Sequence, residues 1–247
     1  MSFEDIVLTA LILVAALLYS SVGHAGASGY LAAMALMGLS PAVMKPTALT
    51  LNILVAVIAT VKYYRVGAFS WRLFWPFALA SIPFAYLGGI LTLPGHFYKP
   101  LVGVVLIYAA WYSFRTAHQP APALAARPHI SILLLAGAAL GLLSGLTGVG
   151  GGIFLSPLLL FFRCAEIRVI SGIAAAFILV NSVAGLLGVM ASASTPVLPA
   201  ALPYWAIAAV VGGFIGAEYG SKRLGNPTIR KLLAVVLVIA GAKMIAV

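Results

Sequence analysis

Thr147-Gly148-Val149-Gly150-Gly151-Gly152 lies in the middle of one long apolar run, and Val22-Gly23-His24-Ala25-Gly26-Ala27-Ser28-Gly29 lies in the middle of another. Each stretch is followed by an aromatic–leucine pair, Phe154-Leu155 and Tyr30-Leu31. Glycine costs about 1 kcal/mol against alanine in a helix interior, so a cluster of glycines breaks a helix. The runs that hold these breaks, 6–40 and 130–162, are too long for one crossing. As a single helix, 6–40 would reach ~52 Å against ~30 Å of hydrocarbon. Two arrangements fit that length. One is a steeply tilted span with disordered ends; the other is two helices folded back at the glycines, so that both ends lie on the same side.

The rest of the chain sets the environment. Of 247 residues, 64% are hydrophobic and 7% are charged, with a mean hydropathy of +1.16. A soluble domain carries ~25% charged residues. This chain cannot cover a water-facing surface and reads as an integral membrane protein. The apolar runs do not alternate with period two, which argues against a β-barrel. The net charge of +10 comes from Lys and Arg concentrated in loops, as membrane orientation requires, and calls for no nucleic acid. The single cysteine, Cys164, excludes an internal disulfide or a cysteine-based metal cluster. His96, His118 and His129 fall in loops without a Cys/carboxylate cluster, so neither metal nor cofactor is expected. Glu4 and Asp5 replace the basic region of a cleavable signal peptide, and Ser2 with Asp5 fits a capping pair for the first helix.

Eight apolar segments are expected at 6–40, 43–62, 73–93, 98–115, 130–162, 168–190, 203–222 and 228–246. Residues 116–129, rich in Pro and Ala, form a linker between a first repeat (1–115) and a second (130–247). With an offset of 124, Ser20 falls on Ser144, Gly26 on Gly150, Leu31 on Leu155 and Thr47 on Ser171. With an offset of 132, Ala85 falls on Ala217, Gly88 on Gly220 and Lys99 on Lys231. The loop 192–199 accommodates the change in offset.

Charge placement chooses between the two arrangements. Eight single crossings divide the 14 Lys and Arg residues almost evenly between the two sides. Folding each glycine-broken segment back leaves only Lys45, Lys99 and Lys243 on one side, a bias of the kind that marks the cytoplasmic face. The folded-back arrangement gives each half five helical pieces and relates the halves by inverted topology. The expected fold is therefore an all-α polytopic membrane protein of two inverted repeats. Each repeat is a glycine-broken helix pair plus three transmembrane helices, and both termini are non-cytoplasmic.

The stretch from Ser144 through Thr147, Gly148, Gly150, Gly151, Gly152 and Phe154 to Ser156-Pro157 resembles the signature of the sulfite exporter TauE/SafE family. This is also called the toluene-sulfonate uptake permease family. The segment Gly212 to Gly220 resembles that family's later glycine-spaced helix, and the first motif is the more degenerate copy, with Ala33 where the family usually has proline. The resemblance implies secondary transport of a small sulfur-containing anion (sulfite, sulfoacetate or another organosulfonate) across the cell inner or plasma membrane, with proton coupling in keeping. A channel or a membrane partner subunit is the alternative. An intramembrane enzyme lacks its acid, base and nucleophile here. A homodimer is compatible with the sequence.

A helix that starts at a glycine break points unpaired N–H groups and the positive end of its dipole into the membrane interior, where an anion can approach the backbone. Paired breaks in equivalent positions are the sequence pointer to a transporter site. Gly23, Gly26, Gly148, Gly150 and Gly151 are the expected substrate-binding backbone positions, with Ser28 and Thr147 inside the breaks as substrate-binding hydroxyls. The rival reading is close helix packing, which Gly212, Gly216 and Gly220 fit better. Thr47 and Asn52 on one following helix, and Ser171 and Asn181 on the other, offer neutral donors, or else bond within their own helices. His24 could donate to an anion or exchange a proton. Glu218 could also carry a proton, but Lys222 at i+4 favours a plain ion pair. Lys45 reads either as an anion attractor in an outer vestibule or as an interfacial, snorkelling lysine. Tyr63, Tyr64, Trp71, Trp75, Tyr98, Trp111, Tyr112, Tyr204 and Trp205 read as aromatic belts.

Overall fold

The computed structural model describes residues 3–115, 129–192 and 198–222, together with residues 238, 241, 242 and 245. Ser2, most of the linker, the middle of the loop 192–199 and most of the last segment lie outside the described residues. Among the described residues the regular elements are all helices. They are α1 (Phe3–Ser20), α2 (Ala27–Leu36), α3 (Pro41–Arg65), α4 (Trp71–Ile90), α5 (Gly95–Arg115), α6 (Ile130–Thr147), α7 (Gly152–Phe161), α8 (Ile167–Ala191) and α9 (Leu202–Lys222). Of these, α1, α3, α4, α6 and α8 are long and apolar enough to cross a membrane. The chain is an all-α polytopic membrane protein.

Both long runs break at their glycines, and the short helix after each break folds back. Gly29 of α2 lies against Ala15 and Tyr19 of α1, and Gly151 at the head of α7 lies against Ser144 and Leu140 of α6. Helix directions give an independent reason. Gly212, Gly216 and Gly220 of α9 meet the backbone at Leu13 and Leu17 of α1 and at Ser21 just past its end, in the same order, so the two helices are parallel. α3 is also parallel to α9, with Val55 against Gly213 and Lys62 on Glu218. α1 and α3 therefore run the same way, and α2 must return between them. A single tilted span over 6–40 would leave them antiparallel. The same holds for α6 and α8, each parallel to α4 through Gly141 on Ser81 and through Gly89 on Gly185 and Gly188, with the Phe77 and Phe177 rings 6.5 Å apart. α3 and α8 are antiparallel: Leu49 meets Gly185, and Ala68 meets Gly172.

Two glycine seams hold the bundle. On α9 the seam is Gly212, Gly216 and Gly220, the residues expected to serve packing. On α6 it is Gly137, Gly141 and Gly145, which lie against Phe77, Ser81 and Ala85 of α4. A methyl group at any of these six positions would overlap a backbone carbonyl of the neighbour. Close approach of this kind gains dispersion and Cα–H···O contacts of about 0.5–1 kcal/mol each, where lipid supplies no hydrophobic drive.

One end of the bundle collects positive charge. Glu218 pairs with both Lys62 and Lys222, and Arg168 Nη2 donates to Lys222 O at 3.0 Å. The turn between Arg65 and Arg72 lies at the same end, with Ala68 on the first turns of α8. Of the residues expected in aromatic belts, Tyr64, Trp71, Trp75, Trp111 and Tyr204 are exposed, as a belt requires, whereas Tyr63, Tyr98 and Trp205 are buried and face no interface. Two of the buried three have a specific reason. Carbonyls at the end of a helix have no partner inside it. Tyr63 Oη donates to Ser21 O at 3.3 Å, and Tyr98 Oη donates to Thr147 O at 2.9 Å. Each hydroxyl covers the carbonyl end of a helix that stops at a break. The Tyr112 side chain lies outside the described residues.

Candidate functional site

The second break is built almost wholly from backbone. α6 ends on Gly148, whose φ of 81° is left-handed and whose N–H donates to Ser144 O at 2.9 Å. Gly150 (φ 81°) and Gly151 (φ 77°) follow, and Gly151 is the N-cap of α7. An L-residue held in this conformation costs roughly 1–2 kcal/mol. Space is tight as well: a Cβ on Gly150 would lie 2.8 Å from Ile178 Cγ2, 3.0 Å from Asn52 Nδ2 and 3.1 Å from Ser182 Oγ, so these side chains would have to shift. Asn52 Nδ2 donates to Ser182 Oγ at 3.4 Å. α3, α8 and the break thus converge there.

The first break uses side chains. Its left-handed glycines are Gly23 (φ 79°) and Gly26 (φ 107°), the N-cap of α2. Gly23 lies against Ser171 of α8. Tyr30 Oη donates to Ala25 O at 2.6 Å and pins the loop. His24 crosses to the other half of the chain. Its Nε2 stands 3.3 Å from Gly152 O and 3.2 Å from Ser156 Oγ, both in the first turns of α7. A protonated Nε2 can donate to either oxygen; an unprotonated one can accept from Ser156. Ser156 was not among the expected site residues. The sequence shows only a hydroxyl one turn past the break, in the Ser156-Pro157 pair, and gives no sign of its partner.

Both helices that leave the breaks begin in the protein interior. Residues 25–29 and 150–153 are buried, and neither N-cap glycine supplies a side-chain cap. The first N–H groups of a helix have no intrahelical acceptor. Three buried hydroxyls have no protein partner: Ser20 Oγ and Ser144 Oγ, at matching positions before the two breaks, with Ser144 against Gly151, and Thr47 Oγ1 on α3. All three residues are fully buried.

Other expected residues turn elsewhere. Thr147 Oγ1 donates to Leu143 O at 2.7 Å and accepts from Val149 N at 3.3 Å, so it serves its own helix end. Asn181 Nδ2 donates to Phe177 O one turn back at 2.8 Å, while its Oδ1 has no protein partner. Ser28 is buried in the first turn of α2. Glu218 is held in the ion pairs at the positive end, two residues before Gly220, which lies against Ser21 just ahead of the first break.

Lys45 requires a correction. It neither snorkels nor lines a vestibule; it is buried. Its Nζ donates to Gly88 O at 3.0 Å, Gly89 O at 3.1 Å and Leu91 O at 3.1 Å. These are the last carbonyls of α4, where a cation is favoured by the helix dipole. All three ammonium protons are used. Gly148 lies against the Lys45 backbone, so this lysine also backs the second break.

The family model described as "Sulfite exporter TauE/SafE" matches residues 8–244. A protein of Sinorhizobium fredii described as a probable membrane transporter is 42% identical over 248 aligned positions, covering 99% of this chain and 100% of that one. No solved structure matches the chain. With the match extending over both glycine breaks and both seams, the chain belongs to the TauE/SafE sulfite exporter family of membrane transporters.

Proposed function

We propose that the protein is a secondary transporter of a small sulfur-containing anion, namely sulfite, sulfoacetate or another organosulfonate. It works by alternating access between two inverted halves, 1–115 and 130–247. The observation that carries this reading is the reach of His24 from the first break to the first turns of α7. One side chain spans the distance between two buried helix N-termini. Their N–H groups and dipoles favour an oxyanion from both sides. Ser20, Ser144 and Thr47 add neutral donors, which release a small anion more readily than a buried guanidinium would. The antiparallel pairing of α3 with α8 supports inversion, because equivalent helices in inverted halves run in opposite directions.

His24 is the proton-coupling residue in this reading. It is the histidine at the breaks, and its Nε2 touches a carbonyl and a hydroxyl that respond differently to its protonation. Glu218 is not required. With the positively charged end in the cytoplasm, the protein sits in the inner or plasma membrane with both termini outside.

Uptake of labelled sulfite and sulfoacetate into proteoliposomes, with and without an imposed pH gradient, tests the proposal. Accumulation against the anion's own gradient is expected when the pH gradient is present. Failure of folded protein to move any sulfur anion would sink the substrate assignment. Movement that only equilibrates would mark a channel.

A further inference from the structure

A cleft of about 670 Å³ opens sideways between α5 and the α6–α7 hairpin. Tyr108 and Trp111 of α5 form one wall, Ala139 and Leu140 of α6 another, and Phe154 closes it from α7. The Tyr108 and Phe154 rings stack there, with centroids 5.6 Å apart. The volume is that of a ligand pocket, in the range of about 300–1,000 Å³. Among the described residues the one charged side chain in the lining is Arg115, the last residue of α5, with its guanidinium 5.2 Å from the centre of the Trp111 ring. Tyr98 at the start of α5 reaches Thr147 at the end of α6, so the two helices are antiparallel. Arg115 therefore stands at the positively charged end of the bundle, level with the start of α6.

We propose that this cleft binds an anionic phospholipid, with an acyl chain along the aromatic and aliphatic walls and the phosphate on Arg115. An apolar cleft on the flank of a membrane protein accepts any lipid tail. A forked, permanently charged guanidinium at its mouth selects the headgroup, because it matches phosphate oxygens two at a time. Basic pockets between helices at the cytoplasmic face bind anionic headgroups for this reason. A second copy of the chain is a poorer occupant: it carries +10 net charge and only four acidic residues to offer Arg115. The bound lipid would brace the hairpin that carries the second break, since Leu140 lines the cleft and its carbonyl lies beside Gly151. The site is independent of which solute the protein carries.

The test uses purified full-length protein in nanodiscs of phosphatidylcholine alone or with added phosphatidylglycerol. Thermal unfolding and native mass spectrometry are the readouts. Phosphatidylglycerol is expected to raise the wild-type unfolding midpoint and to remain bound. Arg115→Gln should lose that increment and retain about fivefold less phosphatidylglycerol, the equivalent of ~1 kcal/mol for one basic side chain. Arg72→Gln, at the same end but outside the cleft, should behave as wild type. Ala139→Trp fills the open side of the cleft and should lose retained lipid of both kinds. An Arg115→Gln protein that responds to phosphatidylglycerol as wild type does would overturn the proposal. So would an Ala139→Trp protein that changes oligomeric state while keeping the lipid preference, which would give the cleft to a second copy. If Ala139→Trp does not fold, the retention measurement on Arg115→Gln decides alone.

Discussion

The two glycine breaks do the same geometric job with different chemistry. The second has three left-handed glycines, at 148, 150 and 151, and is supported from outside by Lys45, Asn52 and Tyr98. The first has two, at 23 and 26, and is tied from within by Tyr30 and His24. In the sequence register His24 matches Gly148, and Tyr30 matches Phe154, which has no hydroxyl to pin a loop. One break is thus a bare backbone surface held rigidly, and the other carries a titratable group. A duplicated unit whose copies stayed equal would bind an anion symmetrically. In the proposed transport cycle, copies that diverged in this way divide the work, with anion contact weighted to one and proton exchange to the other.

Substitutions can break that contrast, and the largest effect is expected at the backbone. Gly150→Ala combines left-handed strain of about 1–2 kcal/mol with crowding on Ile178 and Asn52. Uptake in proteoliposomes should fall at least about tenfold, the equivalent of ~1.4 kcal/mol, with the protein still inserted. Lys45→Met removes the support behind the second break and leaves three carbonyls of α4 uncapped. An unsatisfied buried polar group costs about 1–3 kcal/mol, so the thermal unfolding midpoint should drop clearly. The counterpart Arg168→Met, which removes one exposed bond, should change it little.

His24→Gln probes the other break. Loss of its hydrogen bonds at ~0.5–1.5 kcal/mol should slow uptake about 2–10-fold and flatten its pH profile. A profile that keeps the wild-type shape would remove His24 as the proton carrier. The smallest effect on uptake is expected at Glu218→Gln, because its carboxylate is partly exposed and its pair with Lys222 lies at the surface, where ion pairs contribute little. Uptake should stay within about twofold of wild type, and a collapse would reinstate Glu218.

Helix breaks, hairpins and the charged end were readable from residues alone, because each rests on length, glycine clustering or loop charge. The site was readable only in outline. Periodicity says which hydroxyls lie on helices, not whether they turn inward or back onto their own turn; Thr147 and Asn181 turned back, while Ser20 and Ser144 did not. Ser156 was hidden because its partner is His24, 132 positions away. Lys45 was misread for a related reason. A lysine near a segment end looks interfacial until the end of α4 is placed beside it. Tyr63 and Tyr98 looked like belt residues until the helix ends they cover were located.

The glycine seams carry a further implication for how the bundle finds its alignment. Three identical notches spaced four residues apart, on α6 and again on α9, form a ruler whose marks look alike. Sliding α6 by one turn, about 5.4 Å, would leave two of its three notches engaged with α4. The seams favour closeness but barely specify register. That information lies at the ends. On one side Lys45 grips the carbonyls of α4 while its backbone abuts Gly148, where α6 stops. On the other, α8 presents Arg168 to the end of α9 and Ser171 to Gly23, just past the end of α1. Each pair of sliding helices is zeroed against the first turns of a third.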